Sequence, residues 1–211
     1  MEIRIVVGMI AAFTASSAMV SAEPRRPQFD VPAKDSAKAE ELGNRLARLS
    51  RRVDPNEAQL LAECAYATVA RLRQEYRPFG TPIFNNFLVY HGWRKRGYCW
   101  QWTEDLLLAL DKLKLKTLEL HWADAYRETW QENNCLVVTA KGQAFEHGMI
   151  LECWRHFGNL RWNLVLSDQD RYYENAEWAE KVRARAASKT SRPNHGVAFQ
   201  TRVAPTSKAG D

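Results

Sequence analysis

The stretch Gly97-Tyr98-Cys99-Trp100-Gln101-Trp102-Thr103-Glu104-Asp105, continued by the apolar run from Leu106 to Leu110, decides the fold. It reads as a turn that delivers a cysteine to the start of an amphipathic helix. Gly97 closes a basic loop of Arg94, Lys95 and Arg96. Thr103, Glu104 and Asp105 fall in or near the first turn, and Leu106, Leu107, Leu110 and Leu113 recur at helical spacing. Cys99 therefore belongs at a helix N-terminus, where partial positive charge and free N–H groups favour a thiolate and are able to hold an oxyanion. The same position also suits a buried structural thiol. Among Cys64, Cys99, Cys135 and Cys153, only Cys99 combines a helix start with adjacent cations, so it is expected to be the most reactive.

Upstream of this element, Asp54-Pro55-Asn56-Glu57 supplies an N-cap, a proline at the first helical position and a reciprocal glutamate. A helix is expected from there through Tyr76, with Leu61, Ala65, Thr68 and Leu72 facing inward and Pro78 ending it. Residues 37–52 suit a short charged helix, and residues 77–97 read as irregular. Downstream, segments 116–126, 135–140, 149–154 and 160–166 alternate or run apolar between polar turns, which predicts an antiparallel meander. Lys141-Gly142 and Gly158-Asn159 mark two reversals. Residues 175–187 suit a surface helix, and 188–211 read as a disordered tail.

At 211 residues, with 45% hydrophobic content, the chain fits one core with tails. Arg4, the apolar run 5–20 and Val20-Ser21-Ala22 read as a secretory signal cleaved after Ala22, with an uncleaved anchor as the alternative. The expected organisation is a signal peptide (1–22), a linker with a short charged helix (23–52), the folded domain (53–178) and a basic disordered tail (179–211). A periplasmic or secreted location follows, with no transmembrane span after cleavage. The net charge of +5 suits an acidic partner such as an anionic membrane or cell-wall polymer. Much of the excess lies in the C-terminal segment and no nucleic-acid motif accompanies it, so specific nucleic-acid binding is not expected.

The order of elements, with Arg96-Gly97-Tyr98-Cys99 leading into the leucine helix and then the strands, resembles the transglutaminase-like superfamily of papain-type cysteine enzymes. The likeness spans residues 93–154. It implies an α+β fold: N-terminal helices and a cysteine-bearing helix packed on an antiparallel sheet of about four strands. It also implies a monomeric cysteine hydrolase or acyl transferase, without cofactor or metal, acting on amide bonds of peptides or cell-wall material. In that superfamily a histidine stands at the start of the second strand after the helix and an aspartate near the end of the third. Those places fall here on Asn133-Asn134 and on Glu152. A glutamate is able to orient an imidazole, whereas an asparagine accepts no proton from a thiol at neutral pH. The alternative is an inactive module that binds a peptide or envelope partner.

Other histidines offer substitutes for the missing base. His156 is expected beside Asn133 if the hairpin turns near Gln143-Ala144, and His147 is expected to face Asp168 across the next turn. His121 on the first strand could draw level with Cys99 or simply pack beside Trp122. His91 and His195 lie in a loop and in the tail. The candidate catalytic set is thus Cys99, Glu152, His156 and His147. The same hairpin register brings Cys135 near Cys153, which suits a cross-strand disulfide in an oxidising compartment; a Cys64–Cys99 pair is the competing one. No two cysteines stand at short metal-ligand spacing.

Overall fold

Asp54 caps the central helix as its chemistry requires. Its carboxylate accepts the Asn56 N–H at 2.8 Å, and Pro55 occupies the first turn. In the computed structural model, which describes residues 27–190, this helix (α2) runs Pro55–Tyr76. Leu61, Ala65, Thr68 and Leu72 are all buried along it, as the spacing predicts. Glu57, however, does not reach back to complete a capping box. Its carboxylate accepts the N–H groups of Lys116, Thr117 and Leu118 at 2.8 to 3.0 Å, tying the start of α2 to the start of the sheet. The signal segment 1–22 and the tail from 191 onward, with His195, lie outside the described residues.

Among the described residues four further α-helices and five strands accompany it, in the order α1 (Ser36–Ala47), α2, α3 (Pro82–Tyr90), α4 (Cys99–Asp111), β1 (Leu118–Ala125), β2 (Asn133–Ala140), β3 (Met149–Glu152), β4 (Arg161–Leu164), β5 (Tyr173–Glu174) and α5 (Ala176–Thr190). The fold is α+β, with an antiparallel sheet in the order β4-β3-β2-β1-β5. It has five strands where about four were expected. The fifth is a two-residue edge strand on β1, too short to leave a periodic signal.

Buried side chains from α1, α2, α4 and α5 form one continuous core with Leu118, Trp122, Leu136, Val138, Met149 and Leu151, so these helices cover one face of the sheet. On α4, Leu106, Leu107 and Leu110 are fully buried, each worth roughly 2 kcal/mol of transfer free energy. The opposite face carries a smaller cluster of Ala123, Ala125, Cys135, Val137, Phe145, Ile150 and Tyr172. Alternate residues of β1, β2 and β3 divide between these two faces.

Three local expectations are corrected. Residues 82–90 are helical, with Thr81 accepting the Phe84 N–H at 3.1 Å and Pro82 at the first position. The boundary placed after residue 178 falls inside α5, whose Ala179 and Val182 are buried and whose Arg183 grips Asp111 at 2.8 and 3.0 Å. The helix of the 23–52 segment likewise belongs to the core, through Ala39, Leu42 and Leu46. No described helix is long and apolar enough to cross a membrane.

Candidate functional site

Cys99 is the first residue of α4, as the sequence requires. Gln101 holds that start in place, its side-chain oxygen accepting the N–H groups of Gly97 at 2.7 Å and Tyr98 at 3.1 Å. The basic loop before it is bolted to α2. Arg94 donates to the carbonyls of Tyr76 and Arg77. Arg96 donates to the Tyr76 hydroxyl at 2.8 Å and to Asp105 at 2.9 Å, while the Tyr76 hydroxyl donates to Asp105. Two of the three cations expected to acidify the thiol are therefore engaged elsewhere.

What faces the thiol is an amide. The Cys99 Sγ–H donates to Asn134 Oδ1 at 3.0 Å, with the Glu132 carbonyl 3.6 Å away. Asn134 Nδ2 in turn donates to Asp124 Oδ1 at 2.8 Å and to Glu132 Oε1 at 3.2 Å. Asp124 also accepts Trp122 Nε1 at 2.7 Å and Asn175 Nδ2 at 2.6 Å. Thr103 fixes the strand end by donating to the Asn134 carbonyl at 2.9 Å. Cysteine, asparagine and aspartate thus form a connected line in which the asparagine amide occupies the bridging place. Asp124 and Asn134 are direct partners across β1 and β2, which is why both point at the cysteine helix.

Electrostatics follow from this burial. Only 7% of Cys99 is exposed, and burial pushes its thiol up to about 11 despite backbone hydrogen bonds that act the other way; Glu132 adds to the rise. At neutral pH the group is therefore held as the thiol. Desolvation outweighs the helix N-terminus, so the thiol is raised rather than acidified. Cys64, Cys135 and Cys153 are also buried and raised. All four thiols are free, so neither expected disulfide forms.

The remaining candidates do not converge on the thiol. Leu136 stands opposite Leu151, and continuing that register puts Cys135 beside Glu152 and Asn134 beside Cys153. Cys135 and Cys153 therefore point to opposite faces. Glu152 points away from α4, toward Cys135 and Tyr172, and orients nothing at Cys99. Burial raises its carboxyl to about 7. His156 lies in the turn beyond β3, with Nε2 3.6 Å from Glu152 Oε2 rather than at the thiol, and burial with nearby Arg161 and Arg155 lowers its pKa. His147 is exposed in a 3-10 turn (Phe145–His147) at the far end of β2, and its expected partner Asp168 is taken by Arg161 and Asn163. His121 faces the other side of the sheet, between Glu174 at 2.6 Å and Thr139 at 2.8 Å.

Asp124 is the site residue that sequence reasoning missed. Its signal was strand parity: Trp122 and Asp124 share a face, and a tryptophan that must be buried carries the aspartate inward with it. A groove of about 400 Å³ lies near this end of the sheet, lined by Pro82, Ile83, Tyr126, Trp130, Trp154 and Arg155. Trp130 and Tyr126 are exposed within it. Among the described residues no three His, Cys, Asp or Glu side chains come together as metal ligands would. Comparison with known protein families, curated proteins and solved structures finds no match.

Proposed function

We propose that the chain is a catalytically silent, transglutaminase-like module, exported to the periplasm or beyond, that binds a peptide or cell-envelope partner rather than cleaving it. The observation that carries this reading is the Asn134 amide held between Cys99 and Asp124 at 3.0 and 2.8 Å. An amide nitrogen takes up no proton at neutral pH, and a thiol near 11 supplies almost no nucleophile. The line instead works as a buried polar clamp joining α4, β1, β2 and Asn175. The groove beside it offers the contact surface, with Trp130 and Tyr126 as aromatic platforms and Arg155 as a polar contact.

Asn134→His tests the assignment, because it returns an imidazole to the place between thiol and carboxylate. Cys99 in the native protein should alkylate only near and above pH ~10, and in the variant its profile should move to lower pH by at least about two units. A wild-type Cys99 that titrates below pH ~7, or amide hydrolysis lost in Cys99→Ala, overturns the silent reading. Binding is read separately, by co-sedimentation with cell-wall sacculi and its loss in Trp130→Ala.

A further inference from the structure

The segment between α2 and α4 joins an acid-free, basic stretch to a row of exposed rings. From residue 77 to residue 103 there is no aspartate or glutamate, while Arg77, Arg94, Lys95 and Arg96 all fall within it. α3 turns only Asn85 and Leu88 into the interior. Its other large apolar side chains face outward: Ile83, Phe84, Phe87 and Tyr90 are exposed, as are Phe79 before it and Trp93 after it. These rings form one strip. Phe79 meets Phe84 at 6.4 Å, Phe84 stacks on Phe87 at 6.1 Å, Phe87 lies 4.2 Å from His91, and His91 lies 6.0 Å from Trp93.

We propose that α3 and the loop 93–96 form a docking surface for an anionic phospholipid bilayer. A cavity of about 710 Å³ beside the strip is lined by Arg77, Trp93, Arg94, Lys95 and Arg96, together with Tyr76, Gln74 and Glu75. Arg94 and Arg96 are already bound to protein groups, and Glu75 is paired with Arg71 at 2.6 Å, which leaves Arg77 and Lys95 as the exposed cations. The strip thus presents rings that favour the acyl–headgroup boundary, flanked by positive charge at the level of lipid phosphates. A helix whose rings Phe84, Phe87 and Tyr90 stand exposed suits a surface that yields around it, while Ile83 at its start turns to the groove at Trp130. A peptide ligand would call for a concave site, such as the groove at Trp130. The docking surface is independent of the Cys99 line.

Tyr90, 80% exposed, provides the reporter. Tyr90→Cys is labelled with an environment-sensitive fluorophore in the full chain; the four native thiols are buried and stay unlabelled. The signal then reports α3 itself, whatever the termini do. Vesicles of phosphatidylcholine containing phosphatidylglycerol should shift the emission to the blue, and salt near 0.5 M should reverse the shift. Pure phosphatidylcholine vesicles or inorganic phosphate alone should leave it unchanged. Adding Phe87→Asp or Trp93→Asp should weaken partitioning roughly tenfold each, and Lys95→Gln about fivefold. Because these side chains are exposed, each variant should keep the wild-type circular dichroism and melting temperature. Asn134→His should bind vesicles normally, so failure here is distinguishable from failure of the silent reading. The proposal is overturned by no shift on anionic vesicles, by an equal shift on neutral ones, by partitioning unchanged in all three variants, or by a shift that appears without vesicles as protein concentration rises, which marks self-association.

Discussion

Replacing Glu152 by glutamine should stabilise the protein at pH 8 and do nothing at pH 4. Glu152 is 1% exposed, and its Oε2 is a buried atom without a hydrogen-bond partner, while Oε1 accepts the Arg155 N–H at 2.8 Å. Desolvation raises its carboxyl from 4.5 to about 7, opposed by the Arg155 N–H and by the positive charges of Arg155 and Arg161. A group whose folded pKa exceeds its unfolded one favours the native state while it is protonated. That contribution is complete below pH 4.5 and is lost as pH rises through about 7. At 1.36 kcal/mol per pH unit, the interval amounts to about 3 kcal/mol. Glutamine keeps the acceptor for Arg155 and cannot ionise. Urea denaturation of wild type and Glu152→Gln from pH 4 to 8 should give curves that coincide at the acid end and diverge by about 3 kcal/mol at the alkaline end, equivalent to roughly 6–12 °C in melting temperature. His156, whose pKa is lowered, acts in the opposite sense: its protonation destabilises the native state as pH falls, and because its Nε2 lies 3.6 Å from Glu152 Oε2 this effect is alike in both proteins only at the acid end, where Glu152 is neutral. A difference that is constant with pH, or a variant less stable at pH 8, would refute the reasoning and mean that Arg155 and Arg161 hold Glu152 ionised.

Asp124→Ala should cost about 3–5 kcal/mol by urea denaturation, since it strands the buried donors of Trp122 and Asn134 and the half-buried one of Asn175 together. A loss under ~1 kcal/mol would show that the clamp is not structural. Glu57→Ala should cost about 2–3 kcal/mol, because three N–H groups at the start of β1 lose their acceptor; hydrogen exchange at Thr117 and Leu118 should rise with it. Gly158→Ala should destabilise by about 1–3 kcal/mol, read as a lowered melting temperature. Gly158 has φ +72, and an added Cβ would stand 2.9 Å from both Arg73 Cβ and Trp102 Cη2.

Local chemistry was enough to place the cap at Asp54-Pro55, the inward stripe of α2, the four main strands and Cys99 at the first turn of its helix, because each depends on residues within a few positions of one another. α3 carries the same kind of signal in Thr81-Pro82, yet its apolar residues point outward and therefore show no inward stripe, while the surrounding prolines and glycines read as loop. Asn134 faces the thiol. The groups around it could not be assigned from sequence, because strand register decides them. Placing Cys135 opposite Cys153 would have set Glu152 opposite Leu136, on the face that packs against α4, and joined the two sulfurs on the other face. The observed pairing of Leu136 with Leu151 moves the count by one residue. With a side-chain period of two, that single step sends Glu152 to the far face, separates the cysteines and leaves Asp124 as the carboxylate behind Asn134. Tertiary burial then set the thiol's chemistry: sequence placed a cysteine at a helix start beside three cations, and packing turned Arg94 and Arg96 toward Tyr76, Arg77 and Asp105 and left the sulfur desolvated against an amide.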